Sequence, residues 1–130
     1  MTRVKICGLT NLEDARHAWQ CGADLLGFVF VPASPRYVAP EAVATIIAAL
    51  KGAGCGALCV GVVAGETVET INGLIDISGI DLVQLHGGES PQYARALSRP
   101  AIVVRRVAER VPWEALREYA AWAYLLDSYA

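Results

Sequence analysis

No apolar stretch in this 130-residue sequence is long enough to cross a bilayer. The longest runs, Leu25–Val31 and Ala57–Ala64, fall far short of the ~20 residues that a membrane-spanning helix needs. A charged or turn residue soon interrupts each of them. No signal-peptide core follows Arg3 and Lys5, because Asn11, Glu13 and Asp14 come almost at once. Charge of one sign is lacking too: 11 basic residues against 13 acidic ones leave a net charge of −2, with no basic footprint for nucleic acid. The four cysteines, Cys7, Cys21, Cys55 and Cys59, form no C-x-x-C pair and have no histidines at zinc-finger spacing. That argues against a structural metal or a disulfide framework. Neither a G-x-G-x-x-G fingerprint nor a P-loop is present. These absences predict a soluble cytoplasmic chain with reduced thiols, binding neither nucleic acid nor membrane.

What the sequence has in excess is apolar residues, at 55%. Without a membrane span, that richness fits a parallel sheet covered on both faces. One unit recurs along the chain: an apolar strand, a turn, an amphipathic helix. The expected strands are Val4–Cys7, Leu25–Val31, Ala57–Val63, Asp81–His86, Ala101–Val107 and Ala123–Ser128. Thr10 and Glu13 read as a capping box for the first helix, whose apolar face is Leu12, Ala15, Ala18 and Trp19. Pro40 suits the first position of the second helix, with Val43, Ile46, Ile47 and Leu50 at helical spacing. The third helix starts near Glu66–Val68, Ser90 caps the fourth ahead of Pro91, and Pro112 opens a fifth with Trp113, Leu116 and Ala120 on one stripe.

Repeated strand–helix units require parallel strands joined by right-handed crossovers. An open doubly wound sheet and a closed barrel both satisfy that rule. Polar residues gather at the C-terminal ends of several strands, namely Cys7, Gln84 with His86, Arg105 and Asp127, and this spread favours the barrel. The fold class is therefore α/β, of the parallel (β/α)8 TIM-barrel type. Six strands and five helices are counted where a complete barrel has eight units. The expectation is a single incomplete domain over 1–130, the N-terminal portion of a barrel.

Cys7 is the first candidate for chemistry. It ends a strand where α/β folds place their active groups, and Lys5 shares its face. A lysine there supplies a positive charge that favours the thiolate, making Cys7 a candidate base or nucleophile; the same residue also suits a small buried packing position. Gln84 and His86 share one face of the fourth strand with Leu82, so both are expected in the barrel mouth. There they serve either substrate contact or structural support. Arg105 points inwards if Val103 does, where it would serve the site or pair with Asp127 or Glu89.

Lys5-Ile6-Cys7-Gly8 resembles the opening strand of the phosphoribosylanthranilate isomerase family of tryptophan biosynthesis. The likeness continues at Gly27-Phe28-Val29-Phe30 with Ser34-Pro35-Arg36-Tyr37, at Val60-Gly61-Val62, at Val83-Gln84-Leu85-His86-Gly87 with Glu89, and at Leu125-Leu126-Asp127-Ser128. Val63 stands where the family pattern leads one to expect an aromatic. The resemblance implies an Amadori rearrangement of an N-linked aminoaldose to an aminoketose by acid–base catalysis. It assigns the base to Cys7 and the acid to Asp127. It gives Arg36 the substrate's anthranilate carboxylate, which a guanidinium fork suits, and leaves Lys5, Gln84 and His86 as substrate-binding or supporting residues. It implies no metal or organic cofactor, because the substrate's imine is itself the electron sink. The partner it implies is a small phosphosugar–anthranilate substrate.

The family's phosphate-binding segments follow the sixth strand, and the sequence does not reach them. The expectation is therefore little activity for this chain alone, with self-association or a completing C-terminal segment as possible partners. Two rival readings stand beside this one. A histidine-pathway aminoaldose isomerase shares the barrel and the chemistry but uses an aspartate on its first strand, against which Cys7 speaks. A non-catalytic partial barrel, acting as an assembly subunit, is the other. A redox or cysteine-hydrolase role for Cys7 finds no near histidine, since His17 falls on the first helix and His86 lies across the barrel.

Overall fold

Each crossover through a helix can return the chain only to a parallel neighbour. In the computed structural model, which describes residues 1–128, the sheet is parallel throughout, with its six strands in sequence order. The elements are β1 (Lys5–Ile6), α1 (Leu12–Gln20), β2 (Leu25–Val29), α2 (Pro40–Gly52), β3 (Leu58–Val63), α3 (Val68–Ser78), β4 (Leu82–Leu85), α4 (Pro91–Arg95), β5 (Ala101–Val107), α5 (Trp113–Leu116) and β6 (Ala123–Ser128). No helix among the described residues is long and apolar enough to cross a membrane.

The sheet is curled, as two contacts show. The Lys5 ammonium, on β1, donates to the side-chain oxygen of Gln84 on β4. In a flat sheet three strand spacings would separate those residues by about 14 Å, too far for the two side chains to meet. Arg3, just before β1, places its guanidinium carbon 5.7 Å from the ring centre of Trp122, just before β6. First and last strands thus approach each other at the N-terminal end of the sheet, as the walls of a part-closed barrel.

Curling gives the sheet an inside and an outside. On the inner face Leu25, Val60, Leu82 and Ile102 form a buried cluster, joined by Leu58, Ala123 and Leu125. On the outer face Leu26, Phe28, Val63, Val83 and Leu85 pack against Ala15 of α1, Val43, Ile46, Ile47 and Leu50 of α2, and Ile71 and Ile75 of α3. For α1 and α2 the stripes read from the sequence are the faces that bury. Val103, Leu116 and Tyr119 make a smaller outer cluster under β5.

Local chemistry fixes the ends of these elements. Asn11, not Thr10, caps α1: its side chain accepts the Asp14 N–H at 2.8 Å, so the expected Thr10–Glu13 box does not form. Helix α2 begins at Pro40, and Thr67 and Ser90 cap α3 and α4 through their hydroxyls. Helix α5 is a single turn. The periodicity expected of it fails there: Trp113 is exposed, and Tyr119 is buried instead of Ala120. The Tyr119 hydroxyl donates to the Glu89 carbonyl, and the Tyr93 hydroxyl to the Glu66 carbonyl. Burial pushes the Tyr93 phenol above its ordinary value, with Glu89 and Glu66 adding to the effect.

A short repeat, visible once the strands are aligned, joins neighbouring strands. In Gly22-Ala23-Asp24-Leu25-Leu26 the Asp24 carboxylate accepts the Val4 N–H at 2.7 Å, while the Asp24 N–H donates to the Val4 carbonyl at 2.8 Å. In Gly79-Ile80-Asp81-Leu82-Val83 the Asp81 carboxylate accepts the Cys59 N–H at 2.9 Å, and its N–H returns to the Cys59 carbonyl at 2.8 Å. Each aspartate staples the start of its own strand to the strand before it.

Burial, with the Asp81 carboxylate beside it, pushes the Cys59 thiol from its ordinary 9.0 up to about 12. The folded state therefore holds this proton more tightly than the unfolded chain does. Its stabilising contribution is whole below pH 9 and is lost as the pH climbs towards 12. Denaturant unfolding under reducing conditions is expected to show stability falling by up to ~1.4 kcal/mol per pH unit more in the wild type than in Cys59→Ala across that window.

Candidate active site

Strand β1 is short because the chain must leave it at once. Gly8 adopts φ +82°, a left-handed conformation that suits glycine. The N–H groups of Gly8 and Leu9 both donate to the Gly27 carbonyl, at 3.1 and 3.0 Å. That fork anchors the turn to β2 and leaves Cys7 at the tip of β1 with its thiol exposed. Lys5 Nζ lies 3.6 Å from Cys7 Sγ. Gly27 provides the room for this pair. A Cβ there would stand 2.9 Å from Cys7 Sγ and 3.1 Å from Lys5 Cε, so only glycine lets both side chains lie across β2.

Arg36 reaches the same corner from the loop between β2 and α2. Ser34 organises that loop: its hydroxyl accepts the Arg36 N–H at 3.2 Å and its carbonyl the Tyr37 N–H at 3.1 Å. The guanidinium then folds over Gly8, with Nη1 3.5 Å from the Cys7 carbonyl. A Cβ on Gly8 would meet that nitrogen at 2.2 Å. The arginine remains exposed, able to present its fork to an anionic group.

The opposite wall comes from β4 and β6. Gln84 is 4% exposed and on the inner face. His86 lies just past β4, its N–H donating to the Val63 carbonyl at 3.0 Å. Its Nε2 stands 4.0 Å from Asp127 Oδ2, an ion pair only when the imidazole carries a second proton. Asp127 shares the inner row of β6 with Ala123 and Leu125, so it faces the lumen that Cys7 and Lys5 face from β1. Lys5, Cys7, Arg36, Gln84, His86 and Asp127 therefore lie towards the C-terminal end of the sheet, on its inner face or in the loops above it. Direct contacts join Lys5, Cys7, Gln84 and Arg36 as one group, and His86 with Asp127 as another.

Arg105 is different. The inner row of β5 is Ile102 and Val104, whereas Val103 packs outward with Leu116 and Tyr119. Arg105 therefore lies on the outer row with Val103, unable to pair with Asp127, and its Nε is buried without a partner. Its neighbour Arg106 occupies the inner row, in register with Asp127. A strand apolar on both faces gives alternation no phase, so the sequence alone does not fix which arginine faces inwards. Glu89 bonds to backbone at this end of the sheet. Its carboxylate accepts the N–H groups of Gly87 at 3.0 Å and Gly65 at 3.2 Å, tying together the loops after β3 and β4. A cavity of about 420 Å³ opens beside His86, lined by Gly87, Gly88, Val104 and the two arginines. Among the described residues no group of three His, Cys, Asp or Glu side chains could hold a metal ion.

A curled parallel sheet with its helices on the outer side and polar groups gathered at its C-terminal end places the chain in the (β/α)-barrel class. The comparisons narrow this to one family. The model of the N-(5′-phosphoribosyl)anthranilate (PRA) isomerase family matches residues 4–130. An N-(5′-phosphoribosyl)anthranilate isomerase of Citrifermentans bemidjiense is 46% identical over all 130 residues, which make up 62% of its own length. The crystal structure of phosphoribosyl anthranilate isomerase from Thermus thermophilus superposes with a TM-score of 0.89 at 39% identity, over 99% of this chain and 64% of that one. A further phosphoribosyl anthranilate isomerase, solved in complex with reduced 1-(o-carboxyphenylamino)-1-deoxyribulose 5-phosphate, gives a TM-score of 0.87 at 39% identity, over 99% of this chain and 66% of that one. The chain belongs to the phosphoribosylanthranilate isomerase family. These matches run along the whole of it, and it spans 62% of the length of the Citrifermentans relative.

The Gly8 turn offers a direct check. Gly8→Ala is expected to lower unfolding stability by about 2 kcal/mol, since a side chain strains the left-handed backbone and meets Arg36. Adding Arg36→Ala should recover only part of that loss in urea unfolding, because the backbone strain stays.

Proposed function

We propose that the protein catalyses the Amadori rearrangement of N-(5′-phosphoribosyl)anthranilate to its 1-deoxyribulose 5-phosphate isomer, with Cys7 as base and Asp127 as acid. The observation that carries this reading is the Cys7 thiol held beside the Lys5 ammonium in a lumen that Asp127 also faces. Family membership and the product-like compound bound by a relative support it.

Asp127 gives a proton to the ribose ring oxygen, and the C1′–O bond opens to an iminium. Cys7, as thiolate, then removes the proton from C2′, and the electron pair moves into the C1′–C2′ bond to leave an enolamine. Protonation at C1′ and loss of the O2′ proton complete the aminoketose, so the reaction is an isomerisation and consumes no co-reactant. The base acts deprotonated and the acid protonated. Arg36 takes the anthranilate carboxylate in its fork. The reading carries a cytoplasmic location, a small-molecule partner and no metal or organic cofactor.

Cys7→Ala and Asp127→Asn are each expected to lower kcat/KM for this substrate by about 10²–10⁴-fold, the usual worth of a positioned acid or base. Arg36→Met should chiefly raise KM. Full turnover by Cys7→Ala, or a preference for the histidine-pathway aminoaldose in a substrate panel, would overturn the assignment.

Self-association is the second part of the proposal. Among the described residues, β1 and β6 each pair on one edge only, and Val4, Ile6, Tyr124 and Leu126 are exposed large side chains. An apolar groove of about 450 Å³ lined by Val4, Ile6, Leu9 and Ala18 lies on the outer side of β1. Sedimentation at tens of micromolar is expected to show a dimer or larger species; a clean monomer would count against it.

A further inference from the structure

We infer that Gln84 is a positioning residue: it holds the Lys5 ammonium against Cys7 without cancelling its charge, and so sets how readily the thiol reacts as a thiolate. This deepens the functional reading above and rests on it for its relevance to catalysis, but its chemistry can be measured without substrate.

Three observations converge. Gln84 is almost wholly buried, and its Oε1 accepts from Lys5 Nζ across the lumen. The same ammonium lies 3.6 Å from Cys7 Sγ. Gly27 leaves an opening beneath the pair into which no other side chain would fit. A lysine side chain has four rotatable bonds, and a half-exposed one would spread its charge over many positions. A buried amide acceptor selects one of them. The choice of an amide matters because a carboxylate at the same place would hold the ammonium equally well but neutralise it, and the field at the sulfur would collapse. An apolar residue would leave the charge intact but free to swing into solvent. Glutamine alone among side chains of this length fixes the lysine and preserves its charge.

The other charged groups at this end of the lumen include Arg36, whose Nη1 lies 3.5 Å from the Cys7 carbonyl, His86 just past β4, Arg106 on β5 and Asp127 on β6. Lys5 is the one that hydrogen bonds to the sulfur. It is therefore the group whose placement the thiol feels most.

The test is site-resolved alkylation with iodoacetamide at pH 7, read by peptide mass spectrometry, in the wild type, Gln84→Glu and Lys5→Met. Exposed Cys21 serves as an internal reference, and buried Cys59 reports unfolding within the same molecule. The Cys7 rate, relative to that of Cys21, is expected to fall about tenfold in both variants while Cys59 stays protected. If Gln84→Glu exposes Cys59, the decision passes to Lys5→Met, which alters a half-exposed position. An unchanged Cys7 rate in a folded Gln84→Glu, or in a folded Lys5→Met, would overturn the inference. A slowed Cys7 in a protein that turns over no N-(5′-phosphoribosyl)anthranilate would uphold the inference and sink the functional reading instead.

Discussion

Curvature of the parallel sheet underlies every other feature of this molecule. Flat, the six strands would set Lys5 and Gln84 well out of reach and leave Cys7 and Asp127 at opposite margins of a plane. Curled, the strands enclose Leu25, Val60, Leu82 and Ile102 as an inner layer, and the polar side chains above that layer converge. Right-handed strand twist supplies the bend, and the outer helices hold it because their apolar stripes fit only the convex side. The inner cluster is small beside the outer one, so stability resides mainly outside and chemistry is gathered at the rim of the inside. That division separates the two tasks: residues on the rim can carry charge and strain without breaching the packed layer.

Much of this was legible in the sequence, for identifiable reasons. Pro40 and the Ser90–Pro91 pair mark helix starts because proline tolerates the first turn and serine satisfies a free N–H. The runs Ala101–Val107 and Ala123–Ser128 coincide with β5 and β6, and Pro100, with no N–H to give, marks where the first begins. Errors fell where two local solutions compete. Thr10 and Asn11 are both good caps, and a shift of one residue decides which N–H is reached. Trp113 and Ala120 sit at helical spacing, but a helix of one turn has no second turn to give that spacing meaning.

At the site, residue types were easier to read than their relations. A cysteine at a strand end, a loop arginine after Ser34-Pro35 and a glutamine–histidine pair can be picked from letters. Gly27 could not, because its importance lies in what is missing above it, and an absent Cβ acquires meaning only when Cys7 and Lys5 are seen to fill the space. Glu89 has the same character: its carboxylate serves backbone N–H groups of two loops, and no pattern of side chains announces that.

The tyrosine ties also bear on how the chain comes to be folded. Tyr93 reaches back to the carbonyl of Glu66, and Tyr119 to that of Glu89, each clasping the loop one unit upstream. Every strand likewise pairs with the one that precedes it in the chain. A molecule in which each unit completes its predecessor has few distant loops to close, and can be assembled in the order in which it is synthesised. The nascent chain would lay down the Cys7 strand end first and bury each new strand against the last, so that the edge left to grow is always the newest one.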